Sequence, residues 1–236
     1  MGMREDQRRR TRDAILEAAA LEFGERGYQA TTYASVAVRA NVAKSLVSYH
    51  FASKTDMVQA IMDISFTQEG VFAALPVADR PPFDELALST VFVALQEEKD
   101  PIGRAVVRLE REAELIDIDL PVPYVGWVQL CAETLTRAVA IGDAPADVDV
   151  PFEAHLMVAG FVGLHELAES LGQYEGFVAR AVSNALDRYT TLGATRSALA
   201  SATARAVEAM EEAGCDDVDR VRARLARLAP EHTTAT

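Results

Sequence analysis

Between Val42 and Lys54 the chain reads VAKSLVSYHFASK. Lys44, Ser45, Ser48, Tyr49, His50 and Lys54 carry hydrogen-bonding tips, and Leu46 adds an aliphatic one. This set suits phosphate oxygens and base edges. A lysine can donate to guanine acceptors or to a phosphate, a serine can donate or accept, and a leucine can meet a thymine methyl. Lys54 would stand at the start of a helix, where backbone N–H groups also favour a phosphate. The other candidate constellations fail as catalytic sites. His165-Glu166 begins a string like the zinc motif H-E-x-x-H, but Glu169 takes the fifth position, so the second imidazole is missing. His165 is therefore expected on a helix surface or at a pocket edge, and His155 with Glu153 makes no metal set. Glu110, Glu112 and Glu114 alternate along a helix and do not share a face. They are expected to be solvated, with Arg104, Arg108 and Arg111 available for pairing. There is no P-loop, GxGxxG, GxSxG or Cys/His cluster. No catalytic residue, cofactor or metal is expected, and the chain reads as a non-enzyme.

The donor-rich stretch lies in an acidic chain of 236 residues with formal net charge −13. The charge is uneven. Met1 to Asp56 holds nine Lys/Arg against seven Asp/Glu, and the remainder holds 14 against 29. A local basic footprint inside an acidic chain fits nucleic-acid binding, although Arg8 to Arg12 also fit a solvated tail. With 50% hydrophobic and 25% charged residues, the composition is that of a globular protein. Cys131 and Cys215 form no CxxC pair, which suits a reducing compartment. No run reaches the ~18 apolar residues of a membrane span. The N-terminus is charged where a signal peptide needs apolar residues, so a soluble, cytoplasmic protein with no membrane partner is expected.

The elements that must position these residues read as helices throughout. Ile15, Ala18, Ala19 and Phe23 recur at helical spacing before Gly27, a natural stop. Thr31 or Thr32 can cap a second helix that turns Val36, Ala37 and Ala40 inward. Asn41 tolerates the left-handed turn that separates it from a third helix at about Lys44–His50. Ser53 or Lys54 opens a fourth, with Met57, Ile61, Ile64 and Phe72 on one side. Beyond the prolines at 76, 81 and 82, helices are predicted at about 83–98, 102–115, 125–141, 152–171, 174–192, 196–213 and 218–228. No alternating strand pattern competes, so the fold class is all-α.

A resemblance follows from these residues. Gly27-Tyr28, Thr31-Thr32, Val36, Ala40, Lys44, His50-Phe51 and Lys54 resemble the N-terminal signature of TetR-family transcriptional regulators over about residues 8–62. The resemblance implies a helix-turn-helix DNA-binding head at 1–56, with an N-terminal arm at 1–10. It also implies a helical ligand-binding and dimerisation body at 57–236, with extra helices from about 194. The DNA contacts would come from Thr31, Thr32, Lys44, Ser45, Leu46, Ser48, Tyr49, His50 and Lys54. Asn41 stands where the family usually has glycine, Ala43 where it often has a hydroxyl, and Ser48 where tyrosine is common.

The stretch LPVPYVGWVQLCAETLTRAVAIGDAPADVDV, with LMVAGFVGLHELAESL after it, resembles the γ-butyrolactone autoregulator receptors of antibiotic-producing actinomycetes. That resemblance implies a ligand-pocket role for Trp127. Antibiotic-binding orphan receptors and receptors for furan or butenolide signals are alternatives inside the same group. On spacing alone, Trp127, Leu130, Cys131, Thr134, Leu135 and Ala138 share a broad helix face, fit for a mostly apolar wall or for a core. Phe66, Leu88, Val91, Phe92, Leu109 and Phe161 are candidate neighbours on the same terms. In the helices at about 152–171 and 174–192, the stripe Leu156, Gly160, Gly163, Leu164, Leu167, Leu171 and the residues Val178, Val182, Ala185 and Tyr189 fit either a buried hairpin or a two-fold four-helix interface. The family implies the homodimer. The combined expectation is a repressor that holds a partly palindromic operator in double-stranded DNA and releases it when a small apolar effector binds. The alternatives are a repressor of an efflux gene that responds to an antibiotic or toxic metabolite, and a helical small-molecule-binding protein or enzyme that has lost DNA binding.

Overall fold

The computed structural model describes residues 3–66, 80–120 and 124–228, without the side chains of 65, 66 and 226. Phe72 and the side chain of Phe66 therefore lie outside the described residues. Eleven α-helices are present among the described residues: α1 (Met3–Ala30), α2 (Tyr33–Arg39), α3 (Lys44–His50), α4 (Lys54–Phe66), α5 (Pro82–Lys99), α6 (Pro101–Arg111), α7 (Val125–Ile141), α8 (Val150–Leu171), α9 (Phe177–Leu192), α10 (Arg196–Glu212) and α11 (Val218–Leu228). A short 3₁₀ turn covers Ala113–Leu115. None of the described helices is long and apolar enough to cross a membrane. The chain divides into two compact units, Met1–Ala74 with Lys99–Pro123, and Leu75–Glu98 with Tyr124–Thr236.

The first unit differs from a head that ends at 56. Met57, Val58 and Ile61 of α4, and Ala105, Val106 and Leu109 of α6, are buried in one core with Ile15, Phe23, Val36, Val47 and Phe51. The reason is periodicity. α4 carries its apolar residues on the face that closes the head, so a cut after 56 would open that core to water. The arm also differs from expectation, because residues 3–10 are the first turns of α1.

In the second unit, Phe83 of α5 lies 5.2 Å from Tyr189 of α9, and Phe161 of α8 meets Phe177 edge-on at 5.4 Å. α10 and α11 pack on the body through buried Leu199, Ala202, Ala206, Met210 and Val221. Arg224 of α11 grips the Asp187 carboxylate of α9 with two hydrogen bonds, at 2.6 and 2.8 Å. The α8–α9 stripe divides. Val178, Val182, Ala185 and Tyr189 of α9 are buried in their own protomer's core, and Gly160 of α8 is approached by the Asn184 amide. Phe152, Leu167 and Leu171 of α8 remain more than half exposed, and Gly163 has open space beside it.

Candidate nucleic-acid interface and effector pocket

The entrance to the helix-turn-helix is built on Gly27. Its φ of 79° and ψ of 175° break α1, in a region of backbone space that belongs essentially to glycine. A side chain there would also strike the Glu112 carboxylate. Glu112 accepts a hydrogen bond from the Tyr28 N–H at 2.6 Å and from Arg108 Nε at 3.1 Å. Arg108 in turn donates to the Gly24 carbonyl at 3.3 Å, near the end of α1. Glu112 is thus a clamp on the turn before α2 and is not a solvated acid. Glu110 is also buried, and burial pushes its carboxyl pKa up to about 7.

Thr32 is the N-cap of α2. Its Oγ1 accepts from the Ser35 N–H, and Ser35 Oγ accepts from the Thr32 N–H, both at 3.1 Å. Such a reciprocal box is typically worth about 1 kcal/mol. Thr31 is buried and donates to the Gly27 carbonyl at 2.8 Å, so it braces the turn from inside. α2 ends in a Schellman-type stop. The Val42 N–H reaches the Ala37 carbonyl at 3.0 Å, and Asn41 takes the left-handed conformation with φ 53°. Ala43 caps α3 with no side-chain hydrogen bond.

Val47 and Phe51 anchor α3, and Tyr33 Oη donates to the Phe51 carbonyl at 3.0 Å. Lys44, Ser45, Ser48 and Tyr49 then face outward. Their spacing of i, i+1, i+4 and i+5 puts them on one exposed strip of the helix. Tyr49 is 64% exposed, which leaves its hydroxyl accessible to a partner. Leu46 is half-buried against the head core. His50 is partly buried, and its pKa is lowered by burial first and then by the charges of Arg8 and Arg12.

Lys54 is engaged inside the head. Its Nζ donates to the carbonyls of Tyr28 at 2.6 Å and Thr31 at 3.2 Å, and lies 4.0 Å over the Tyr28 ring. The ammonium ties α4 to the turn between α1 and α2, because two carbonyls and an aromatic face outcompete water for it.

The residues expected around Trp127 separate into four places. Trp127 is 3% exposed, donates from Nε1 to Ser89 Oγ at 3.2 Å, and meets Phe161 edge-on at 4.8 Å. Trp127, Cys131 and Phe161 share a cavity of about 10 Å³ with Thr90, Asn184 and Tyr189, room for roughly one water. Burial, helped by Glu85, pushes the Cys131 thiol up to about 12, so it stays neutral. Leu88 and Phe92 instead line a cleft of about 340 Å³ between α5 and α10, floored by Val91, Leu95 and Ala209 and edged by Arg205 and Glu208. Thr134 turns away from the cavity and donates to buried Glu85 at 2.8 Å. Leu109 belongs to the other unit's core, because α6 packs along α1. His165 is buried, not surface: its Nδ1 contacts Glu97, which also accepts from Tyr124 Oη at 3.2 Å. Thr90 and Asn184 carried no signal in sequence, and Tyr189 only that of a helix stripe, until α5 and α9 meet α7 and α8.

A compact helix-turn-helix in one unit and a larger helical unit with an aromatic interior define the class: a helix-turn-helix head joined to a helical body. The chain belongs to the TetR family of bacterial regulatory proteins. Residues 15–61 match the tetR-family description of bacterial regulatory proteins, and residues 83–185 match the tetracyclin repressor-like C-terminal domain. The A-factor receptor protein of Streptomyces griseus is 28% identical over 162 residues, which cover 66% of this chain. The match spans about half the length of that relative (54%). A solved γ-butyrolactone receptor described as ArpA-like is 26% identical, with a TM-score of 0.67 over 87% of this chain and 99% of that one. The TetR-family protein CprB of Streptomyces coelicolor, solved in complex with its biological operator sequence, is 25% identical, with a TM-score of 0.63 over 95% of this chain and 99% of that one.

Proposed function

We propose that this protein is a dimeric, ligand-responsive repressor working in the bacterial cytoplasm, associated with the nucleoid when bound to DNA. The observation that carries this reading is the exposed strip Lys44, Ser45, Ser48 and Tyr49 on a short helix pinned by Val47 and Phe51. Such a helix can enter a major groove and present donors to base edges and phosphates. Thr32, His50 and the half-buried Leu46 sit at its margins, while Thr31 and Lys54 hold the frame. The operator complex of CprB supports the DNA partner. The exposed Phe152, Leu167 and Leu171 on α8, with open Gly163, support a two-fold contact through that helix.

The effector reading is a small, mostly apolar signal of γ-butyrolactone type, supported by the likeness to the A-factor and ArpA-like receptors. Trp127, Phe161 and Tyr189 supply apolar walls, and Thr90, Asn184 and the Ser89-held indole supply the polar groups. The present cavity holds about one water, so a ligand enters only by spreading α7 from α8 and α9. It releases DNA only through a higher affinity for the spread state than for the DNA-bound one. The test is selection of duplexes from a random pool, followed by displacement with synthetic γ-butyrolactones and with antibiotics. The expected result is an enriched two-fold symmetric site released by a lactone. Enrichment of no duplex removes the DNA reading, and release by an antibiotic alone reassigns the effector.

A further inference from the structure

Many arginines of this acidic chain are neutralised by a carboxylate. Arg26, Arg39, Arg108, Arg137, Arg188, Arg205, Arg222 and Arg224 each meet a carboxylate. Among the described residues, Arg4, Arg8, Arg10, Arg12 and Lys44 do not, nor do Arg180 and Arg220, whereas Arg9 is held by Asp6 at 3.3 Å. Five of these cations stand on the first turns of α1 and at the leading end of α3. Their placement on α1 is periodic. Arg4, Arg8 and Arg12 recur every fourth residue and stand about 6 Å apart on one stripe, while Arg10 points to the opposite side. The stripe lies beside the end of α3. The Arg8 guanidinium sits 5.5 Å over the Tyr49 ring, and that of Arg12 5.0 Å over the Phe51 ring. A guanidinium laid flat on a ring keeps its N–H edge free to donate, and a phosphate is the partner this fork suits best. Leaving cations unpaired among 36 acids also keeps the local potential positive where the rest of the chain repels DNA.

We infer that Arg8 and Arg12, with Arg4 one turn further out, form a second phosphate-binding edge of the DNA interface. It is a rigid helical rail that holds the backbone flanking the groove α3 enters and orients Tyr49 against it. The inference rests on the DNA-binding reading above. It replaces a flexible basic arm with one face of α1, and it separates Arg8 and Arg12, which act, from Arg9 and Arg10, which do not.

The test is the salt dependence of binding to a selected duplex, measured by fluorescence anisotropy across a series of KCl concentrations. Each lost phosphate contact makes the slope of log K against log[salt] shallower by about one. Arg8→Ala/Arg12→Ala is expected to flatten it by about two per head, or about four for a two-headed complex. Arg10→Ala is expected to keep the wild-type slope, and Arg8→Lys/Arg12→Lys to restore most of it. All of these side chains are exposed, so thermal melts should coincide. A double alanine variant that binds with the wild-type slope overturns the rail, as does an Arg10→Ala variant that flattens it equally. A wild-type protein that binds no duplex at all overturns the DNA reading itself, a result distinct from either.

Discussion

Along α3, Lys44, Ser45, Ser48 and Tyr49 face outward while Val47 holds the helix down. Along α7, Trp127, Cys131 and Thr134 all face inward. The first arrangement separates function from stability, because the side chains that would meet a partner contribute almost nothing to the core. The second joins them. Trp127 is at once a wall of the cavity and part of the packing that keeps α7, α8 and α9 together. Charge follows the same division. Lys44 and Arg8 stand unpaired at the surface of the head, whereas Glu85 and Glu97 of the body are buried and engaged by Thr134, Arg137, Tyr124 and His165.

The comparison breaks first at Trp127. Trp127→Ala empties a packed site and is expected to cost ~3–5 kcal/mol in urea unfolding of the full chain. A variant as stable as wild type would mean that the indole is a passenger in the pocket and that the two regions do not differ. The next test lies in the head's interior. Unfolded Glu110 ionises near the ordinary 4.5, and burial raises this to about 7 in the folded protein. Its favourable contribution is complete below about 4.5 and is lost as pH rises through about 7, a swing of about 3 kcal/mol by linkage. Glu110→Gln should therefore leave stability nearly unchanged at pH 4 and raise it at pH 8.5 by up to that amount. Parallel stability curves for the two proteins across this range would contradict a buried, proton-holding carboxyl. The smallest effect belongs to the exposed strip. Lys44→Ala is expected to weaken operator binding by ~1–3 kcal/mol while shifting stability by less than ~0.5 kcal/mol. An unchanged gel-shift titration would remove Lys44 from base readout.

Much of the head was legible because its rules are local. The cap at Thr32, the left-handed Asn41 and the bounds of α3 each depend on a few neighbouring residues, and each holds in the structure. Glu112 was not legible. It sits 85 positions from Gly27, and nothing in the alternation Glu110, Glu112, Glu114 marks the middle carboxylate as a clamp and the first as buried. Lys54 was placed at the right helix start, but sequence could not show that two carbonyls of the preceding turn lie within its reach. In the body, Cys131 and Phe161 share a cavity with Trp127. Leu88, Phe92, Thr134 and Leu109 lie elsewhere, because an apolar helix face does not say which neighbour covers it.

The sequence by itself determined the all-helical class, the order of the elements, the helix-turn-helix and the strip of donors on α3. Periodicity, capping residues and turn conformers act over three or four positions, so one strand of text is enough to read them. Only the tertiary structure decided that α4 and α6 complete the head's core, that α10 and α11 cover α9, and that His165 is buried against Glu97. It also decided that the first turns of α1 are a helix with Arg8 and Arg12 laid on the rings beside α3. These are contacts between residues far apart in the chain. Their energies come from burial and from pairing in a shared interior, and neither exists until the helices have docked.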